Sequence, residues 1–164
     1  MTGPVQVRFL CLALIGLIGL MPGLAAGQQV RITKLTNQAF GSIANLAVDA
    51  VRSENVCVFS STATSGYNVT ATGTGTGGAF TLSLGSSTMA YEVQWSGVSG
   101  QSSGTNLSSG AKLSGLTSNA TQQACSSGPA TTASLIVIIR TAVLTAATAG
   151  VGYSGTLTIV IGPE

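Results

Sequence analysis

No histidine occurs among the 164 residues, and four acids, Asp49, Glu54, Glu92 and Glu164, stand against six basic residues. Catalysis near neutral pH needs groups that can be protonated, ionised or activated, so Ser/His/Asp and Cys/His arrangements are excluded. A paired-carboxylate hydrolase would have to use Glu92 with one of the other acids. Glu164 is terminal, and Asp49 and Glu54 lie too close along the chain to straddle a strand pair in an obvious way. The expectation is a protein without enzymatic activity, without a cofactor and without a metal.

Gly73, Gly75 and Gly78 satisfy G-x-G-x-x-G, with Glu92 further along. A phosphate-binding loop must open a helix whose N-terminus faces the anion, whereas Gly78 is followed by the alternating Ala79-Phe80-Thr81-Leu82. These glycines are therefore read as a turn or bulge, where positive φ is useful. Three sequons, at Asn68, Asn106 and Asn119, are what chance places in a chain so rich in Ser and Thr. Tyr91 and Trp95 have rings that can stack on a sugar, but an alternating aromatic face more often belongs to a core.

The compartment follows from the first 26 residues, which are expected to be a cleavable export signal. Arg8 closes a basic start and Phe9 to Leu20 is an apolar block, too short for the roughly 18 residues of a spanning helix. Small residues flank a cut after Ala26 or after Gly27, and both stay open. Cys11 lies inside this block behind Arg8-Phe9-Leu10, not behind the small residues of a lipoprotein site, so a lipid anchor is not expected.

About 137 residues then remain, enough for one domain over 27–164 with a real core. With no second long apolar run, no membrane span is expected in the mature chain. Its charges are Arg31, Lys34, Arg52, Lys112 and Arg140 against Asp49, Glu54, Glu92 and Glu164, or 5 − 4 = +1. Five scattered cations make no basic stripe, which argues against a nucleic-acid partner. Cys57 and Cys125 survive processing, and in an oxidising compartment such a pair is most simply one disulfide. Closing that loop of roughly 70 residues stabilises a fold by about 4 kcal/mol on the chain-entropy model.

The elements that would position these residues are strands. Alternating segments recur between Gly, Ser and Asn punctuation: 30–33, a short extended piece at 40–43, then 55–60, 67–72, 79–84, 89–95 and a short 112–116. In the 89–95 segment Met89, Tyr91, Val93 and Trp95 share one face. Residues 96–109 and 119–132 read as polar loops, the latter holding Cys125. Leu135 to Ile139 is a continuous apolar run suited to a strand buried on both faces. Thr141 to Ala149 allows one helical turn, and Tyr153 to Ile161 is a final strand with Leu157, Ile159 and Ile161 on one face. Seven or eight short strands with turns between them predict an all-β antiparallel sandwich. An uncharged final strand is hazardous if unpaired, so it is either inside the sandwich or completed by another polypeptide.

Several of these segments together resemble the spore coat protein U-like (SCPU) domain family, the subunits of archaic chaperone-usher pili. The resemblance rests on Phe40-Gly41-Ser42-Ile43, Cys57-Val58-Phe59-Ser60, Tyr67 to Gly73, Gly78-Ala79-Phe80 and Tyr91 to Trp95. It continues through Leu113 to Leu116, Cys125, Ala149-Gly150 and Tyr153 to Thr158, nearly the whole mature chain. It implies an immunoglobulin-like sandwich lacking its last strand, with Leu157, Ile159 and Ile161 bordering the open groove. Val30 and Ile32 become candidate donor-strand residues. The implied partners are a periplasmic chaperone, an outer-membrane usher and other pilus subunits, and the implied location is the periplasm in transit and then the cell surface. Only about a dozen residues separate the expected cleavage site from Phe40, fewer than a donor strand and a first strand need together. The expected function is a structural subunit joined by donor-strand exchange. The alternative is a self-contained extracellular binding or matrix domain that recognises ligands through loops 96–109 and 117–132.

Overall fold

The computed structural model describes residues 27–148 and 152–164, so the expected export signal lies outside the described residues. The strands run β1 (Val30–Thr33), β2 (Ala50–Ser60), β3 (Gly66–Thr72), β4 (Thr81–Leu84), β5 (Ser87–Ala90), β6 (Glu92–Ser96), β7 (Thr105–Asn106), β8 (Lys112–Thr117), β9 (Ala133–Ile139) and β10 (Thr158–Pro163). One short helix, α1 (Thr141–Ala146), follows β9. A five-stranded sheet has the order β1-β2-β9-β6-β7, a three-stranded sheet the order β10-β3-β8, and β4 pairs with β5. Every named pairing is antiparallel. Val56 and Val58 of β2, Val93 and Trp95 of β6 and Leu135 and Val137 of β9 share one buried cluster with Tyr67, Val69 and Ala71 of β3. The fold is thus an all-β sandwich.

The apolar run of β9 does what a two-sided strand must, since all seven of its residues are buried. It lies between β2 and β6, pairing Val56 with Ala133 at one end and Ala50 with Ile139 at the other. Deep in the core, the edge of the Trp95 ring meets the Tyr67 ring at 6.5 Å. The indole Nε1 donates to the Tyr67 hydroxyl at 3.1 Å, so neither polar tip is left unpaired in the apolar layer. Burial pushes the Tyr67 phenol above its ordinary value, and Tyr91 likewise.

Met89, Tyr91, Val93 and Trp95 are all buried on one side, yet they do not form one strand. The chain breaks at Tyr91: β5 turns back on β4, while β6 joins β9. The glycine run is a turn, with Gly73 N–H donating to Gly78 O at 2.7 Å and positive φ at Gly77 and Gly78. A Cβ on Gly73 would lie 2.2 Å from the Ala79 carbonyl oxygen, which is why a side chain is not accommodated there.

Cys57 and Cys125 form the disulfide, with Cα atoms 5.9 Å apart and a sequence separation of 68. The bond fastens the polar stretch before β9 onto β2. Thr132 reinforces it, donating its N–H to Val56 O at 2.8 Å and accepting from Val58 N–H at 2.9 Å.

Three expectations are revised. The second strand begins at Ala50, five residues before the alternation at Asn55 becomes apolar, because β9 supplies pairing partners for the polar stretch. The extended piece at 40–43 has no strand partner. The last strand begins only at Thr158; Ser154 instead makes an isolated bridge to Ser83, which pulls residues 153–156 toward β4.

Candidate functional site

β10 is an edge strand with hydrogen-bonding partners on one side only. It pairs with β3 in register from Thr158–Thr72 to Pro163–Tyr67, and no strand among the described residues is hydrogen-bonded to its other side. Alternate N–H and C=O groups of an edge strand point away from its one partner, and a groove lies beside this strand at Ile159. Leu157, Ile159 and Ile161 turn inward against the core, whereas Val160, between them, is 57% exposed. The parity expected for the final strand is therefore present, although Leu157 precedes the strand proper.

The groove encloses about 1180 Å³. Its floor is apolar: Leu135, Val137 and Ile139 from β9, Met89 and Tyr91 from the β5–β6 break, and Leu144 from α1. Tyr91 is held by the Phe80 ring, 5.7 Å away. One wall is the chain from Gly152 to Leu157 with Ile159 of β10, whereas Ile161 lies outside the groove lining. The other is the irregular chain from Leu35 to Ile43, which runs between β1 and β2. β1 and β10 approach within 8 Å between Cα atoms without pairing, and Phe40 and Leu157 both line the groove.

The second wall is unusual in how it is held. Lys34 adopts φ of 67°, which turns the chain away from β2 after only four paired residues. From Lys34 to Ile43 no backbone–backbone hydrogen bond is made among the described residues. Side chains substitute. Glu54 accepts from Thr36 N–H at 2.7 Å, from the Thr36 hydroxyl and from Gln38 Nε2 at 2.8 Å. Arg52 donates to the carbonyls of Ala39 at 3.1 Å and Phe40 at 3.4 Å. Phe40 and Ile43 pack on the core and close the lower part of the wall.

The other edges of the two larger sheets are defended, each in a different way. β7 is two residues long. β8 begins with Lys112 and contains Gly115 at φ of 76°, beside an irregularity in its pairing with β3. β1 is short and carries exposed Arg31. Charge, brevity and bulges all discourage strand addition. Thr158 to Gly162 of β10 have none of these, and Pro163 stands only at the far end.

Val30 and Ile32, the candidate donor residues, are engaged within this chain. They lie in β1 opposite Ser60 and Val58 and pack against the core. Gln29 adds two bonds to Ser61, its N–H to Oγ and its C=O from the Ser61 N–H, both at 2.8 Å. Donating this segment would cost the chain its own first strand.

The acids occupy a separate place. Arg140, after β9, reaches Asp49 at 2.9 Å and also pairs with Glu92. Asp49 accepts the Thr141 N–H at 2.8 Å as well, which ties the start of α1 to the start of β2. That backbone bond first, then Arg140, holds the Asp49 carboxyl below its ordinary range, and Arg140 does the same for Glu92. The guanidinium is held more firmly protonated in return. Sequence spacing concealed this cluster, because Asp49, Glu92 and Arg140 are brought together only by the pairing of β2, β9 and β6.

The remaining candidates are quickly placed. Asn68 is buried and donates its amide to Pro163 O at 3.1 Å, so its sequon is structural in the folded chain. Trp95 is 1% exposed and offers no ring to a ligand. The two polar loops meet where Ser99 and Thr131 hydroxyls lie 2.6 Å apart. No described helix is long and apolar enough to cross a membrane. No family model, curated protein or solved structure matches the chain.

Proposed function

We propose that this chain is a secreted structural subunit of a fimbria- or pilus-like surface assembly, and that its groove accepts a β-strand from another polypeptide. The observation that carries the reading is the undefended edge of β10 beside a trough with an apolar floor. An entering strand gains main-chain hydrogen bonds along β10 and buries every second side chain on Leu135, Val137 and Ile139. Each Val or Ile so buried stabilises the complex by about 1.5–3 kcal/mol. The resemblance to the SCPU family supports the same reading. On that basis the strand comes in turn from a periplasmic chaperone and from a neighbouring subunit at the usher. The chain receives a strand here and does not supply residues 30–33, which its own sheet uses. Its role in this reading is non-enzymatic, since the chain carries no histidine and both Asp49 and Glu92 are committed to Arg140.

The test is expression of the full chain with export to an oxidising compartment. Purified protein is challenged with a peptide about ten residues long bearing Val or Ile at every second position, the length of a strand with short flanks. The expected result is a protein that self-associates alone and becomes monomeric, with a higher melting temperature, when the peptide is bound. A monomer that unfolds reversibly at high temperature and ignores the peptide would sink the reading in favour of a self-contained binding domain. Turnover of a polysaccharide or peptide substrate abolished by Glu92→Gln would overturn the non-enzymatic assignment.

A further inference from the structure

The groove's second wall poses a physical problem. Ten residues from Lys34 to Ile43 stand beside a trough without a backbone ladder. Such a segment has low local stability and should sample many conformations unless something else fixes it. What fixes it is found on β2. Val56 and Val58 face the core, and the next two positions on the same face toward the N-terminus are Glu54 and Arg52. On this stretch beyond the core Arg52 is exposed and Glu54 half-buried, so burial alone does not oblige either to find a partner. Both are paired all the same, and all their side-chain partners lie on the wall between Thr36 and Phe40.

We propose that Glu54 and Arg52 are positioning residues for strand capture: they hold residues 36–40 as a preformed second wall, so that an incoming strand meets a trough instead of a collapsed one. The proposal rests on the acceptor reading of the groove. Glu54 takes both donors of Thr36 and the amide of Gln38, while Arg52 takes two successive carbonyls, so the pair fixes the height and rotation of the wall at two points. Lys34 anchors its start by donating Nζ to Ala130 O at 2.5 Å. Phe40 anchors its end in the core. Between these anchors the two charged side chains are the tether. The wall backbone on the side facing the groove stays free to pair, which lets it take up a ladder once a strand has entered.

The test uses the full exported chain and the same alternating peptide. Hydrogen exchange at the Thr36 amide reports the wall, and peptide dissociation reports capture. Glu54→Ala is expected to speed Thr36 exchange about tenfold and weaken capture about tenfold, with Arg52→Met giving a smaller loss. Glu54→Gln keeps one acceptor for Thr36 and should fall between wild type and Glu54→Ala. Disulfide formation and exchange at β9 amides should be unchanged, which separates positioning from general destabilisation. Unaltered capture and unaltered Thr36 exchange in Glu54→Ala, with wild type binding normally, would overturn the tether alone. A wild-type chain that captures no peptide, with Thr36 protected, would overturn the acceptor reading and this role with it.

Discussion

At the residue scale, charge is scarce and what exists is nearly all engaged. Asp49 and Glu92 share Arg140, and both carboxyls titrate lower in the folded chain than their ordinary 3.8 and 4.5. A group whose pKa is depressed on folding adds stability that is present above its unfolded value and is lost as pH falls through its folded value. The chain should therefore keep its stability down to about pH 4.5 and lose it progressively below. Urea midpoints measured from pH 7 to pH 2 check this. In Arg140→Met the acid-side loss should shrink, because the two carboxyls then lose a principal cause of their shift.

The buried Trp95–Tyr67 contact makes a second residue-scale prediction. Tyr67→Phe leaves the indole N–H at 1% exposure without its acceptor. An orphaned buried donor costs about 1–3 kcal/mol. Urea unfolding followed by the emission of the single tryptophan should show that loss with little change in slope.

At the element scale, β10 decides the behaviour of the molecule. Its two faces differ: Ile159 turns to the groove and Val160 to solvent. Ile159→Lys places a charge where an entering side chain must pack and should abolish peptide capture. Val160→Lys should alter stability by no more than about 0.5 kcal/mol, as exposed substitutions do, and reduce self-association through edge charge. Equal loss of peptide capture in both variants would mean that the outer face of β10, not the trough, binds the strand. The wall at 34–43 behaves oppositely to β10, since its order comes from side chains of β2 and not from a ladder.

At the scale of the whole molecule, the sandwich is closed by long-range connections of three kinds. The disulfide bridges a sequence separation of 68. Thr132 and Ser118 bond to the backbone of β2 beside it. Arg140 and Asp49 join the opposite end of the same strand to α1. Cys57→Ala with Cys125→Ala should cost about 2–4 kcal/mol, read as a lowered urea midpoint against the oxidised parent.

The sequence by itself determined the periodic features and the chemistry that residue types permit. Alternation predicted which side of 89–95 would be buried, and all four residues are. The unbroken apolar run at 135–139 predicted a strand covered on both faces, and the cysteine pair predicted the disulfide. These properties are local or combinatorial, so they survive in one dimension. The resemblance already pointed to the final strand as the open edge, but tertiary structure alone supplied the wall opposite it, because that wall comes from a segment far away in the chain. The fold split 89–95 between two sheets at Tyr91, a break that does not disturb the alternation. It also gave Arg52 and Glu54 their place. In the sequence these charges only interrupt the apolar alternation of β2, and the partners that give them a role come from the wall folded against them.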